Sequence, residues 1–140
     1  MAQALQQLGV KRAWVVHGSG CDEVALHGTT YVCELKDGKL NEFSLTPDDF
    51  GVALTPLSAL AGGEPADNAA ATLAILQGEG QYAHKAAVAI NVAAMLKIAG
   101  MGDDLKVNTR AVLELLSSNK AFTTLSQFKQ LSQSKEQAND

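Results

Sequence analysis

The segment from about residue 82 to residue 99 constrains the fold most, because it reads as a helix that is apolar on nearly every face. Its apolar side chains, Ala86, Val88, Ile90 and Met95 among them, do not form a single stripe at helical spacing. A helix of this kind is normally buried in the middle of a domain. The chain has 140 residues, a usual length for one domain and long enough to bury a sizeable core.

The pattern around this helix predicts an α/β fold. A short helix over residues 2–8 is followed by an apolar strand over residues 12–16. A β-hairpin follows at about 30–45, where Asp37-Gly38 supplies the turn because glycine accepts positive φ. The predicted helices after the hairpin span about 65–77, 82–99, 103–118 and 119–133, and a polar tail occupies about 132–140.

The strand over residues 12–16 poses a topological problem. Its apolar residues do not alternate with polar ones, which is typical of a strand covered on both faces in a parallel sheet. A parallel neighbour would need its own crossover connection, and none is visible. Either the sheet is very small, or part of it lies outside this sequence.

Charge and composition exclude several classes of protein. The net charge is −4, and the 11 Lys and Arg residues are scattered, which argues against nucleic acid as the main partner. The longest apolar stretch, about residues 86–96, is too short to span a bilayer. Cys21 and Cys33 form no CxxC motif or Cys/His cluster, so a structural zinc site is not predicted. With no signal peptide visible, these features predict a soluble, cytoplasmic protein.

The loop HGSGCDE, residues 17–23, follows the apolar strand and is the main candidate site. In α/β sheets, ligands lie beyond the carboxyl ends of strands. The adjacent carboxylates of Asp22 and Glu23 repel each other unless a cation shares them. Mg²⁺ is a plausible cation, because it takes one or two carboxylates together with waters and substrate phosphates. From spacing alone, a solvated acidic turn is the commoner use of such a pair.

Histidine and cysteine residues give weaker signals. His17 could act as a general base or a ligand, but a packing or hydrogen-bonding role is the commoner one at a strand end. Cys21 is a minor candidate for a nucleophile, with His17 four residues away. His27 and His84 belong to no constellation and are expected at the surface.

Two further features have mainly structural interpretations. Gly62-Gly63 before a helix lacks the spacing of a P-loop or dinucleotide fingerprint, so a flexible start to the helix is favoured over a phosphate cradle. Asn91 interrupts the apolar helix and must find hydrogen-bond partners if it is buried. A bond to a neighbouring backbone segment is expected.

Taken together, four long stretches resemble the C-terminal part of the anthranilate phosphoribosyltransferase family. They occur in the family's order and spacing and cover the chain up to its polar tail. The resemblance implies that residues 1–140 form one truncated glycosyltransferase-family-3-like α/β domain, part of a three-layer-type domain, without the family's N-terminal helical domain. The stretches are LGVKRAWVVHGSGCDEVALHG, VCELKDGKLNEFSLTPDDFG, LAGGEPADNAAATLAILQGEG and HKAAVAINVAAMLKIAG.

The resemblance also implies a reaction. Family members transfer a phosphoribosyl group from phosphoribosyl pyrophosphate to anthranilate in tryptophan biosynthesis, and Mg²⁺ assists by binding the pyrophosphate. The family's Asp-Glu metal motif falls on Asp22 and Glu23. Members are usually homodimers through the helical domain, and that interface is expected to be largely absent here.

The chain departs from the family in what it lacks. The GTGGD loop that cradles pyrophosphate and the residues that bind anthranilate are absent, so no catalytic or cofactor-binding residue is assigned and the chain alone is expected to be inactive. The chain is also expected to expose an apolar surface.

Two alternative functions stay open. One is a non-catalytic α/β remnant or interaction module. The other, less favoured because of the spacing of VVHGSGCDE and LTPDDFG, is a transferase like pyrimidine-nucleoside phosphorylase.

Overall fold

The computed structural model describes residues 1–136 and confirms the α/β class. Each predicted helix is present, and the helix ends fall within three residues of the predicted ones. Two short 3₁₀ turns, Pro47–Phe50 and Leu57–Leu60, lie between the sheet and the later helices. The elements are α1 (Ala2–Gln7), β1 (Arg12–Gly18), β2 (Thr30–Lys36), β3 (Lys39–Leu45), α2 (Pro65–Leu76), α3 (Tyr82–Ala99), α4 (Leu105–Ser117) and α5 (Lys120–Glu136).

The three strands form an antiparallel sheet in the order β1-β2-β3. Val16 of β1 lies opposite Val32 of β2, which lies opposite Phe43 of β3. The hairpin between β2 and β3 has the predicted turn: Asp37 and Gly38 have φ values of 49° and 74°. Positive φ at both central residues of a two-residue loop defines a type I′ turn, whose twist matches that of the strands.

The prediction that β1 is covered on both faces is wrong for the described residues. Within residues 1–136 this strand pairs only with β2, in the antiparallel sense, and residues 12–16 are half-buried. The reason lies in the two faces of the strand. Trp14 and Val16 pack against the core, whereas Val15 points to the opposite face, which α1 covers only in part. No parallel neighbour of β1 lies within residues 1–136, so the expectation of a parallel sheet stays a prediction.

The main core lies between the sheet and α3. Its buried members come from the loop after β1, from the end of the 3₁₀ turn Pro47–Phe50 and the residues just after it, and from α3. On α3, Ala86, Ile90 and Ala93 have no exposed surface. A second cluster, Ala89 with Val112 and Leu116, joins α3 to α4. Alanines on α3 allow this close approach, because they bring no side chain beyond Cβ.

The prediction that α3 is buried all round is wrong for this chain. Met95 is 65% exposed and Val88 is 37% exposed. These side chains lie on a side of α3 that no described element covers. The expectation that the chain exposes apolar surface is confirmed. No helix within residues 1–136 is both long and apolar enough to cross a membrane.

The C-terminal helix is longer than predicted. α5 continues to Glu136, three residues past the predicted end at 133 and into the predicted polar tail. Residues 137–140 of that tail lie outside the described residues.

The start of α4 depends on a side-chain cap. The Asp104 carboxylate accepts hydrogen bonds from the backbone N–H groups of Lys106 (2.8 Å) and Val107 (3.1 Å). We expect Asp104→Ala to lower the free energy of unfolding by about 1 kcal/mol, because two N–H groups lose their acceptor. Denaturant unfolding would measure the loss. Asp103→Ala is the control, since that exposed carboxylate caps nothing among the described residues, and an equal loss in both variants would contradict the prediction.

Candidate functional site

The loop between β1 and β2, residues 19–29, begins with a tight turn. Gly18 and Cys21 exchange two backbone hydrogen bonds, of 2.9 and 3.1 Å, and form an isolated bridge. The two residues inside the turn, Ser19 and Gly20, have positive φ values of 49° and 98°. Such a conformation is uncommon for serine and persists only where the surroundings hold it.

Contacts within the loop hold Ser19 in place. Its hydroxyl donates to the carbonyl oxygen of Thr29 at 2.8 Å. Its own carbonyl oxygen lies 3.2 Å from Nε2 of His27. Gly28 leaves room for this arrangement, because a Cβ there would lie 2.5 Å from the serine Oγ. Residues 27–29, at the end of the loop, thus fix the turn that precedes the two carboxylates.

The segment after the carboxylates is anchored in the core. Val24, Ala25 and Leu26 are 4%, 2% and 1% exposed. The backbone N–H of Ala25 donates to Oγ1 of Thr30 at 2.9 Å, and both backbone groups of Val24 bond to the side chain of Asn91 on α3. The expectation that Asn91 bonds to a neighbouring backbone is confirmed.

Asp22 and Glu23 lie between these two anchored segments, and both are exposed. Within residues 1–136 neither carboxylate has an ion-pair partner. No group of three or more His, Cys, Asp or Glu residues among the described residues could hold a metal. The pair therefore does not form a closed metal site by itself. Two hard oxygen donors open to solvent do suit Mg²⁺, which keeps waters and phosphate oxygens in its remaining positions.

The other candidate residues do not join this pair. The Cys21 thiol donates to the carbonyl oxygen of Gly18 at 2.8 Å, not to His17. His17 is exposed at the end of β1, and its side chain makes no hydrogen bond within residues 1–136. The structure thus gives no support to a nucleophile and base made of these two residues.

The expectation that His27 and His84 lie at the surface is wrong. His27 and His84 are half-buried, and Nδ1 of His27 is a buried atom without a hydrogen-bond partner among the described residues. The flexibility expected of the Gly62-Gly63 segment stays a prediction, and Asn68 bonds to that segment at the start of α2. Asn68 accepts from the N–H of Gly63 and donates to its carbonyl oxygen, both at 2.9 Å.

Sequence reasoning missed the residues that support the loop, namely Ser19 and His27, and it missed Asn68 at the start of α2. A serine between two glycines was the one local signal available for the turn. The His27 contact and the Asn68 bonds depend on loop geometry, which residue types alone do not define.

Comparison with known proteins defines the class. Residues 1–122 match the model of the glycosyl transferase family, a/b domain, and the chain belongs to that family. Among curated proteins, anthranilate phosphoribosyltransferase of Shewanella sp. (strain ANA-3) is 53% identical over 132 residues, covering 94% of this chain and 38% of that protein. The chain thus spans less than two fifths of the length of the curated relatives it matches.

Solved structures agree with this assignment. The crystal structure of anthranilate phosphoribosyltransferase from Thermus thermophilus superposes with a TM-score of 0.82 and 37% identity, covering 91% of this chain and 37% of that one. The Saccharomyces cerevisiae enzyme in complex with PRPP and Mg superposes with a TM-score of 0.79 and 25% identity, again covering 91% of this chain and 37% of that one. The fold of this chain therefore recurs inside proteins more than twice its length.

Proposed function

We propose that this chain supplies the Mg²⁺-binding part of an anthranilate phosphoribosyltransferase. The observation that carries the proposal is the exposed Asp22–Glu23 pair, held between two anchored segments just after β1. The family's Asp-Glu metal motif would fall on these two residues if the resemblance holds for the site, which supports the proposal. Similarity to an enzyme solved with PRPP and Mg supports the same assignment.

The two carboxylates have a defined chemical role in this proposal. When bound, Mg²⁺ would neutralise charge on a departing pyrophosphate. Asp22 and Glu23 would hold that cation at a fixed position, so that charge developing in the transition state meets an ion already in place. Their exposure leaves the opposite side of the cation open to phosphate oxygens and water.

The chain's own residues do not complete the site. No GTGGD-type sequence occurs in it, so a phosphate cradle has to come from further sequence. The open side of α3 and the partly covered face of β1 offer apolar surface where such sequence could pack. The substrates phosphoribosyl pyrophosphate and anthranilate then belong to the assembled protein. A homodimer, a cytoplasmic location and the lack of a nucleic-acid partner remain predictions.

A complementation assay tests the proposal. Anthranilate fluorescence would be followed with phosphoribosyl pyrophosphate and Mg²⁺, using the chain alone, the N-terminal segment of a relative alone, and the two mixed. We expect no turnover from either part and measurable turnover from the mixture. No turnover in the mixture, with the chain shown to be folded and bound to the segment, would favour a non-catalytic interaction module. Turnover by the chain alone would contradict the need for a second phosphate-binding part.

A further inference from the structure

Asn91 is a polar residue in the apolar helix α3, and its side chain reaches the candidate loop. Its Oδ1 accepts a hydrogen bond from the Val24 N–H at 3.0 Å. Its Nδ2 donates to the carbonyl oxygens of Val24 at 3.2 Å and Ala87 at 3.0 Å. Both amide hydrogens of the side chain and its oxygen are therefore in use.

The orientation of this amide follows from its partners. A backbone N–H needs an acceptor and a backbone carbonyl needs a donor, so Oδ1 must face the N–H of Val24 and Nδ2 its carbonyl. The side chain thus pairs with one residue as a neighbouring strand would. Bonds on both sides of Val24 fix the orientation of its two peptide planes.

The bonded residue is the one that directly follows the carboxylate pair. The Val24 N–H belongs to the peptide unit that also contains the Glu23 carbonyl, so the bond to Asn91 fixes the backbone at Glu23. The Ser19 turn fixes the other side of the pair. The bonds to Asn91 tie the residue next to the pair to a helix 67 positions away in sequence. Another long-range hydrogen bond of this loop, from the Thr55 N–H to the Leu26 carbonyl oxygen (3.0 Å), lies further from the carboxylates.

We propose that Asn91 is a positioning residue, which holds the Asp22–Glu23 pair in the geometry that a divalent cation requires. Asn91 touches no reacting atom and acts through the backbone of Val24. The cation part of this inference rests on the proposed function, whereas the anchoring of the carboxylates does not. A purely structural asparagine would stabilise the fold without affecting the geometry of the pair.

Asn108 provides a matched control. It is 6% exposed, lies on α4, and donates through Nδ2 to the carbonyl oxygens of Gly102 (3.0 Å) and Ala93 (3.4 Å). Like Asn91 it is an asparagine that bonds to an α3 carbonyl. Its partners lie away from the carboxylate loop, so its loss should weaken the fold without moving the pair.

The test compares Asn91→Ala, Asn91→Asp and Asn108→Ala in the full chain. Asn91→Asp keeps the size of the side chain and one acceptor, but it sets a carboxylate oxygen against the Val24 and Ala87 carbonyl oxygens. Nuclear magnetic resonance would report amide exchange at Val24 and backbone relaxation at Asp22 and Glu23. Mn²⁺, used as a paramagnetic probe in place of Mg²⁺, would report cation affinity through line broadening at the same residues.

We expect the protection of the Val24 amide against hydrogen exchange to be at least tenfold lower in both Asn91 variants than in Asn108→Ala. Residues 22 and 23 should become mobile, and Mn²⁺ affinity should fall about tenfold, the low end of the range for groups that orient metal ligands. Equal changes in the Asn91 and Asn108 variants, or rigid carboxylates in both Asn91 variants, would overturn the proposal. If the unaltered chain broadens no resonance with Mn²⁺, the inference that the pair holds a cation without further sequence fails, and the relaxation data still decide whether Asn91 positions the pair.

Discussion

Replacing Asp22 by Asn and Glu23 by Gln is expected to lower the Mg²⁺-dependent turnover of the complemented enzyme by about a hundredfold or more. The estimate follows from the several kcal/mol that a bound cation contributes to stabilising transition-state charge. Both side chains are exposed and have no ion-pair partner among the described residues, so the substitutions should leave the fold intact. Initial rates against Mg²⁺ concentration would measure the effect.

The hairpin offers a control for the change in charge. Asp37→Asn with Glu42→Gln removes two exposed carboxylates, as the first double variant does. Asn is well suited to a position with positive φ in a type I′ turn, so residue 37 tolerates the change. The control should keep full turnover. Unchanged Mg²⁺ dependence in the Asp22/Glu23 variant would remove these residues from the metal site.

Gly18→Ala is expected to lower the free energy of unfolding by about 1–3 kcal/mol, as overpacking in a filled interior does. Gly18 is buried at the end of β1, where an added Cβ would overlap the carbonyl oxygen of Glu23 and approach the backbone nitrogen of Ala25 to 2.9 Å. Because these two atoms belong to the backbone, there is little room for relief. Denaturant unfolding, together with Mg²⁺ titration of the complemented enzyme, would measure the result.

Gly63→Ala is the matched control for the added methyl group. There the nearest atom is Oδ2 of the exposed Asp67 side chain, at 3.1 Å, and it can move aside. A small change in stability is expected. If the loop moves to make room for the added methyl group in Gly18→Ala, the loss of stability will be smaller. The Mg²⁺ concentration needed for turnover will then be higher. A Gly18 variant unchanged in both respects would show that the loop is not held as tightly as the geometry indicates.

Features set by local chemistry could be predicted from the sequence. The Asp37-Gly38 turn follows from φ preference, and Gly100, with φ 74°, ends α3 where the sequence placed its end. The Asp22–Glu23 pair could be singled out because the repulsion between adjacent carboxylates depends only on neighbours in sequence. The resemblance, and not the spacing, raised that pair above a solvated turn.

Features set by distant contacts could not be predicted. The partner of Asn91 is 67 positions away, and no rule of spacing identifies Val24. The prediction that β1 is buried on both faces failed for a related reason. Apolarity describes what a strand can tolerate, whereas its burial depends on which elements lie against each face. Here those elements are the core on one side and part of α1 on the other.

The order of strands has a consequence for how the chain folds. Each strand pairs with its immediate neighbour in sequence, so the sheet closes only the loop at residues 19–29 and the two-residue turn. Short closures cost little chain entropy and favour rapid formation. The bonds between α3 and Val24 instead require closure across much of the chain. The meander can therefore assemble first, and the carboxylate loop reaches its final geometry only when α3 docks.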